Sequence, residues 1–134
     1  MKNEKHTLAA AAFLITSTLA APSNALSLAE QAEAFATCAG RYSAMATRQS
    51  ATHNPDSDAT RQLQSSFESL LEATLPHAAE AGIDPRRARS WQASGWSEMA
   101  HLMRLQQRST DATHADRATR DMHRRLSTCR QLIL

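Results

Sequence analysis

The stretch "EAFATCAGRYSAM" (33–45) places Cys38 two residues before Gly40 in an apolar run with helical spacing. Leu28, Phe35, Cys38, Tyr42 and Met45 follow steps of three, four and seven residues, so they form one stripe on a helix. That helix opens at "SLAE" (27–30), where Ser27 caps and Glu30 reaches back to complete a capping box. Gly40 lies off the stripe and costs about 1 kcal/mol relative to alanine. A close approach by another backbone is the feature it permits.

The meaning of the thiol depends on the compartment. "MKNEKH" (1–6) is a short cationic segment, and the uncharged run "TLAAAAFLITSTLAA" (7–21) is too short and alanine-rich to span a bilayer comfortably. Pro22 and the small residues of Ser23-Asn24-Ala25 complete the layout of a secretory signal peptide with cleavage after Ala25. There is no twin-arginine pair, and residue 26 is Leu, not a lipid-bearing Cys. Residues 1–25 are therefore expected to be a signal peptide and 26–134 a single helical domain, periplasmic or secreted, with no integral membrane segment after cleavage. In an oxidising compartment, Cys38 and Cys129, the only two cysteines, are expected to form a disulfide. Closing that 91-residue span would stabilise the domain by roughly 4–5 kcal/mol in the chain-entropy model.

Punctuation divides the rest into helices of similar length. "THNPDSD" (52–58) is a loop by composition, and Leu63, Phe67, Leu70 and Leu71 make the buried face of a second helix. Pro76 is expected to end or kink it, leaving "HAAEA" as an extra turn before Gly82. "AGIDPRRAR" (81–89) is the sharpest boundary: Gly82 stops one helix, Asp84 caps the next and Pro85 takes its first position. The third helix runs to about Arg108 on a face of Trp91, Met99, Leu102, Met103 and Leu105, with Trp96 at its margin. A fourth follows "STD" (109–111) and buries Ala115, Ala118, Met122, Leu126, Cys129 and Ile133. These four segments predict an all-α, antiparallel up-down four-helix bundle closed by one disulfide between its first and last helices. With no proline or glycine between the last two, three helices with a long bent third helix is the alternative.

Charge is uneven. Residues 26–85 carry three Arg against eight acids, a net of −5, and residues 86–134 carry ten Arg against four, a net of +6. Complementary halves are expected to attract along the bundle seams. Arg117, Arg120 and Arg124 form an exposed ridge that could meet phosphate, a lipid headgroup or an acidic protein surface. Nucleic acid is not expected of an exported chain with interspersed acids and few aromatics.

The catalytic repertoire is thin. There is no G-x-S-x-G elbow, HExxH, glycine-rich phosphate loop, CxxC or CxxCH. "EMAH" (98–101) sets Glu98 and His101 three apart and resembles the Glu-x-x-His element of carboxylate-bridged di-iron bundles. The further ligands are missing: "HAAE" (77–80) and "DATH" (111–114) are in reversed order or beside a loop. Glu98 is expected to pair with an arginine instead. A b-type haem would need an inward Met and His at one level, but His114 and His123 point away from the apolar centre. Trp96, an aromatic with an N–H, fits either a contact surface or a cover for one end of the bundle.

"FATCAGRYSAM" (35–45), with a second cysteine in the last helix before a leucine-rich end, resembles a group of uncharacterised small exported bacterial helical proteins. That resemblance implies the same fold and disulfide and brings no activity. The expectation is an exported, non-enzymatic helical protein with no cofactor. It would bind another protein or an envelope component through Trp96 and the Arg117/Arg120/Arg124 ridge. The alternative is a metal- or haem-binding bundle using Glu98 and His101.

Overall fold

The computed structural model describes residues 25–134; the expected signal peptide, residues 1–24 of it, lies outside them. Four helices pack together: α1 (Leu28–Ala51), α2 (Ser57–Glu80), α3 (Arg87–Arg108) and α4 (Ala112–Arg130). None is long and apolar enough to cross a membrane. The capping box at α1 is present, with Glu30 N–H donating to Ser27 Oγ at 3.2 Å and Ser27 N–H to Glu30 Oε2 at 2.8 Å. α3 and α4 are separate helices. Asp111 starts α4 by accepting from Thr113 N–H at 2.8 Å, so the continuous bent helix does not form.

Of the two outcomes expected at Pro76, an end or a kink, the end does not occur: α2 continues to Glu80. Pro76 and Glu72 both lie on the exposed side, where solvent can satisfy the Glu72 carbonyl that Pro76 leaves without a donor. The last turn is pinned from the other side. Ala78 is fully buried among Ala32, Ala36, Leu71 and Ala88. Gly82, at φ +90°, then closes a Schellman motif: its N–H donates to Ala79 O at 2.9 Å and that of Ile83 to Ala78 O at 3.0 Å. α1 ends the same way with His53 in the left-handed position (φ 53°), Asn54 N–H reaching Gln49 O. Beyond Gly82 the boundary differs from the expected one: Asp84 Oδ1 accepts from Arg86 N–H at 2.9 Å in a turn that holds Pro85, and α3 begins two residues later than expected, at Arg87, with Arg86 in its N-cap position.

α1 is the central helix. Its buried positions are Ala32, Ala36, Cys38, Ala39, Gly40, Tyr42, Ala44 and Ala46, which at 100° per residue cover roughly two-thirds of its circumference. Only Cys38 and Tyr42 of these belong to the single stripe read from the sequence; Leu28 is exposed, and Phe35 and Met45 are half-buried. α2 and α3 dock on different sides of α1, α4 packs on α3, and α4 meets α1 at the disulfide. α1 and α3 run parallel, Thr37 meeting Gly95 and Arg41 meeting Glu98. α1 and α4 run antiparallel, Cys38 bonded to Cys129 and Tyr42 Oη donating to Leu126 O at 3.2 Å. Phe67 of α2 is fully buried and stacks on Tyr42 with ring centroids 5.6 Å apart. Met99, Leu102, Met103, Ala118 and Met122 fill the layer between α3 and α4, whereas Leu105, expected in the core, is exposed.

The α1–α3 contact is made backbone to backbone. An ideal Cβ on Gly40 would fall 2.0 Å from Gln92 O and 2.9 Å from Trp96 N, and one on Gly95 would fall 2.1 Å from Thr37 O. Those oxygens therefore lie within roughly 3.6 Å of the glycine Cα atoms, the range of Cα–H···O contacts. No neighbouring side chain can rotate aside to admit a methyl group.

Gly40→Ala and Gly95→Ala should each cost about 3 kcal/mol or more in urea denaturation, at or beyond the usual range for overpacking. The double substitution should cost less than the sum, since one forced separation relieves both clashes. Gly82→Ala, with nothing within 4 Å of its Cβ, should lose only the strain of its positive φ, about 1–2 kcal/mol.

Backbone N–H donors hold the carboxyls of Glu30 and Asp111 below their ordinary values of 4.5 and 3.8, and the Arg86 side chain, with its backbone N–H, holds that of Asp84 below 3.8. A carboxyl lowered on folding stabilises above its unfolded pKa, and that contribution is lost as pH falls through the folded value. The melting midpoint should therefore drop on acidification from about pH 5 to pH 2. Asp111→Asn, which caps without titrating, should remove part of that drop.

Candidate functional site

The thiols are engaged in structure. Cys38 and Cys129 form a disulfide with Cα atoms 5.6 Å apart, both buried, and no free cysteine remains. Beside it lies a charged cluster spanning three helices. Arg41 of α1 donates from Nε to Glu98 Oε2 of α3 at 2.7 Å, and Arg125 of α4 donates from Nη1 to Glu98 Oε1. Arg41 also places Nη1 3.6 Å from Cys129 Sγ. Each oxygen of Glu98 is held by a different guanidinium, which bears out the expected arginine partner and leaves the carboxylate committed. His101 is exposed, and among the described residues no three His, Cys, Asp or Glu side chains converge to hold a metal ion. His77 and Glu80, and His114 and Asp111, are exposed neighbours at 3.8 and 3.6 Å within their own segments. The inward methionines Met99, Met103 and Met122 face one another in the core, while His114 and His123 are exposed.

Of the arginines of the second half, only Arg125 pairs across a seam among the described residues. Apart from Arg125, those with acid partners find them within three residues, as Arg86 does with Asp84 and Arg124 with Asp121. Arg124, one member of the expected ridge, is thus partly neutralised, while Arg117 and Arg120 make no ion pair among the described residues. The ridge borders a concavity of about 490 Å³ between α3 and α4. Arg104 and Arg108 line it from α3 and Arg117 from α4, with His101 and His114 at its rim and Leu102, Leu105 and Ala118 as its apolar part. None of the three arginines makes an ion pair among the described residues, and Asp121, the one acid in the lining, is already held by Arg124. Leu105 is 44% exposed there, an apolar side chain ringed by cations.

Sequence reasoning found Arg117 and missed Arg104, Arg108 and Leu105. Arg104 and Arg108 carry no assignment there, and Leu105 falls on the core face. The available signal was the i, i+4 spacing of Arg104 and Arg108 flanking Leu105, which places them on one side of α3. Trp96 is 44% exposed, as expected of a marginal position, and nine residues from Leu105 projects roughly 180° away around α3. Trp96 and the arginine groove are therefore separate surfaces.

Comparison with family models, curated proteins and solved structures finds no match to this chain.

Glu98→Gln should leave two half-buried guanidiniums facing one another and lower stability by about 1–3 kcal/mol, between the values for exposed and fully buried pairs. Measured in the Arg41→Met background, the same substitution should cost clearly less. Equal losses in both backgrounds would show that the three groups are not coupled.

Proposed function

We propose that the protein is exported, acts by binding and not by catalysis, and engages an anionic envelope component through the groove between α3 and α4. The observation that carries this reading is the convergence of Arg104, Arg108 and Arg117, unpaired among the described residues, around exposed Leu105. Guanidinium forks match the oxygens of a phosphate-bearing headgroup, and Leu105 can lie against its apolar portion. Each arginine near an anionic membrane surface contributes about 1 kcal/mol, screened by salt. The composition of residues 1–25 and the disulfide support export. The missing hydrolase, phosphate-loop and redox motifs support a non-enzymatic role. A metal or haem function draws no support from Glu98, whose oxygens are occupied, or from exposed His101.

Sedimentation with vesicles provides the test. The oxidised protein should bind phosphatidylglycerol vesicles and ignore phosphatidylcholine ones, losing affinity as salt rises. Arg104→Glu, Arg108→Glu and Arg117→Glu together should abolish binding, whereas Arg86→Glu with Arg89→Glu should reduce it only modestly. Equal retention on both vesicle types, or an unaffected triple variant, would overturn the envelope reading. Crosslinking from the native envelope through Trp96 would then decide for a protein partner.

A further inference from the structure

A second concavity lies away from the arginine groove and has no part in that reading. The close backbone contacts of α2 are with α1, and those of α4 are with α3 and α1; α2 and α4 make no close backbone approach to each other. Between them, above α1, a cleft of about 820 Å³ remains open. That is within the range of about 300–1,000 Å³ typical of small-molecule sites. Its floor is apolar and drawn from all four helices: Met45, Leu63, Met103, Met122 and Leu126, with the Tyr42 ring beneath. Three thioethers make this floor deformable and polarizable, able to follow a hydrocarbon or aromatic surface of unspecified shape.

The wall is polar, and part of it is unsatisfied. Arg48 lines the cleft, and its side chain makes no hydrogen bond or ion pair among the described residues; its Nη1 is shielded from solvent without a partner. The next residue, Gln49, also lines the cleft and has a shielded, unpartnered Oε1. A guanidinium has five donors and no neutral form at ordinary pH, so one left half-buried without an acceptor is costly. Arg130 and His123 of α4 stand on the same rim, and the one acid in the lining is Asp56 at the start of α2. Two arginines against one aspartate leave the mouth cationic over a methionine floor.

We infer that this cleft binds a small amphiphilic organic anion. Its carboxylate or sulfonate head satisfies Arg48, with Arg130 in support, and its apolar body lies on Met45, Met103 and Met122. The head removes the cost of the unpaired guanidinium, and the body covers thioether and leucine surface. Neither a bare phosphate nor a neutral hydrocarbon matches both parts.

Decanoate is a suitable probe, with decyltrimethylammonium as the control of equal chain length and opposite charge. Calorimetric titration of the oxidised protein should give saturable binding of one decanoate per chain and much weaker binding of the cation. Arg48→Gln should weaken decanoate by roughly 10- to 100-fold, the scale of one hydrogen bond to a charged group. The Arg104/Arg108/Arg117 charge-reversal variant should bind decanoate normally, which separates this site from the envelope groove. Should Arg48→Gln fail to fold, methyl NMR of the unaltered protein decides. The Met45, Met103 and Met122 signals should shift with decanoate while the Trp96 indole signal stays in place. Equal affinity for both amphiphiles, an unaffected Arg48→Gln, or stationary methionine signals would overturn the inference.

Discussion

Where Gly40 and Gly95 cross, α1 and α3 touch through their backbones, with Gln92 O and Thr37 O occupying the positions that side chains would take. Two parallel helices this close leave little depth for side chains between them, so the large apolar residues must go to either flank. On one flank Phe67, Tyr42 and Phe35 build an aromatic layer under α2. On the other, Met99, Leu102, Met103 and Met122 build a layer under α4. The bundle is consequently asymmetric: α1 is wrapped by its neighbours, and α2 and α4 are held apart with α1 between them. The cleft above α1 follows from that separation. A bundle with four equal seams would have closed it.

What could be read from the sequence was whatever rests on local chemistry. Ser27 with Glu30, Gly82 before Asp84-Pro85, and Asp111 at α4 each satisfy orphan backbone groups within a few residues, so their signals survive in any tertiary context. The disulfide was legible because two cysteines admit only one intrachain pairing. The wide buried face of α1 was not legible, because alanine has little hydrophobic contrast, and Ala32, Ala36, Ala39, Ala44 and Ala46 lie off the predicted stripe. Their burial is tertiary: Leu71 and Ala78 of α2 cover Ala32 and Ala36, Phe67 covers Ala39, and α3 and α4 cover Ala44. At Pro76 the opposite holds: the local rule that would end the helix there is overruled by Ala78 and Ile83 docking beyond it. Leu105 followed the helical period and yet faces solvent, because α4 approaches α3 from the side of Leu102 and Ala118.

The charges obey a similar division. The opposite net charges of the two halves give no row of ion pairs between them among the described residues, since most paired arginines find an acid within three residues on their own segment. The pairing that does form inverts the expectation: Arg41 of the acidic half meets Glu98 of the basic half. Glu98 then takes Arg125 as well, so one carboxylate serves two guanidiniums and ties α1, α3 and α4 at a single level next to Cys129. The remaining arginines of α3 and α4 keep their charge toward solvent. An excess positive field on that side is what structural pairing leaves behind.

α4 borders both concavities, which gives its attachment a significance beyond stability. It contributes Arg117 and Asp121 to the groove and Met122, Leu126 and Arg130 to the cleft. Only Ala118, Met122 and Cys129 are buried along its 19 residues, so hydrophobic contact alone holds it modestly. Its C-terminal half depends on three bonds of different kinds: the disulfide, Arg125 to Glu98, and Tyr42 Oη to the Leu126 carbonyl. All three converge on α1 or on the helix packed against it. The spacing that defines the cleft and the facing of Arg117 toward Arg104 and Arg108 are thus set by the same short span of α4. In a reducing environment that span would keep only its polar bonds and a sparse apolar stripe. The disulfide therefore ties both surfaces to the oxidised state of the protein, which is the state the proposed export would give it.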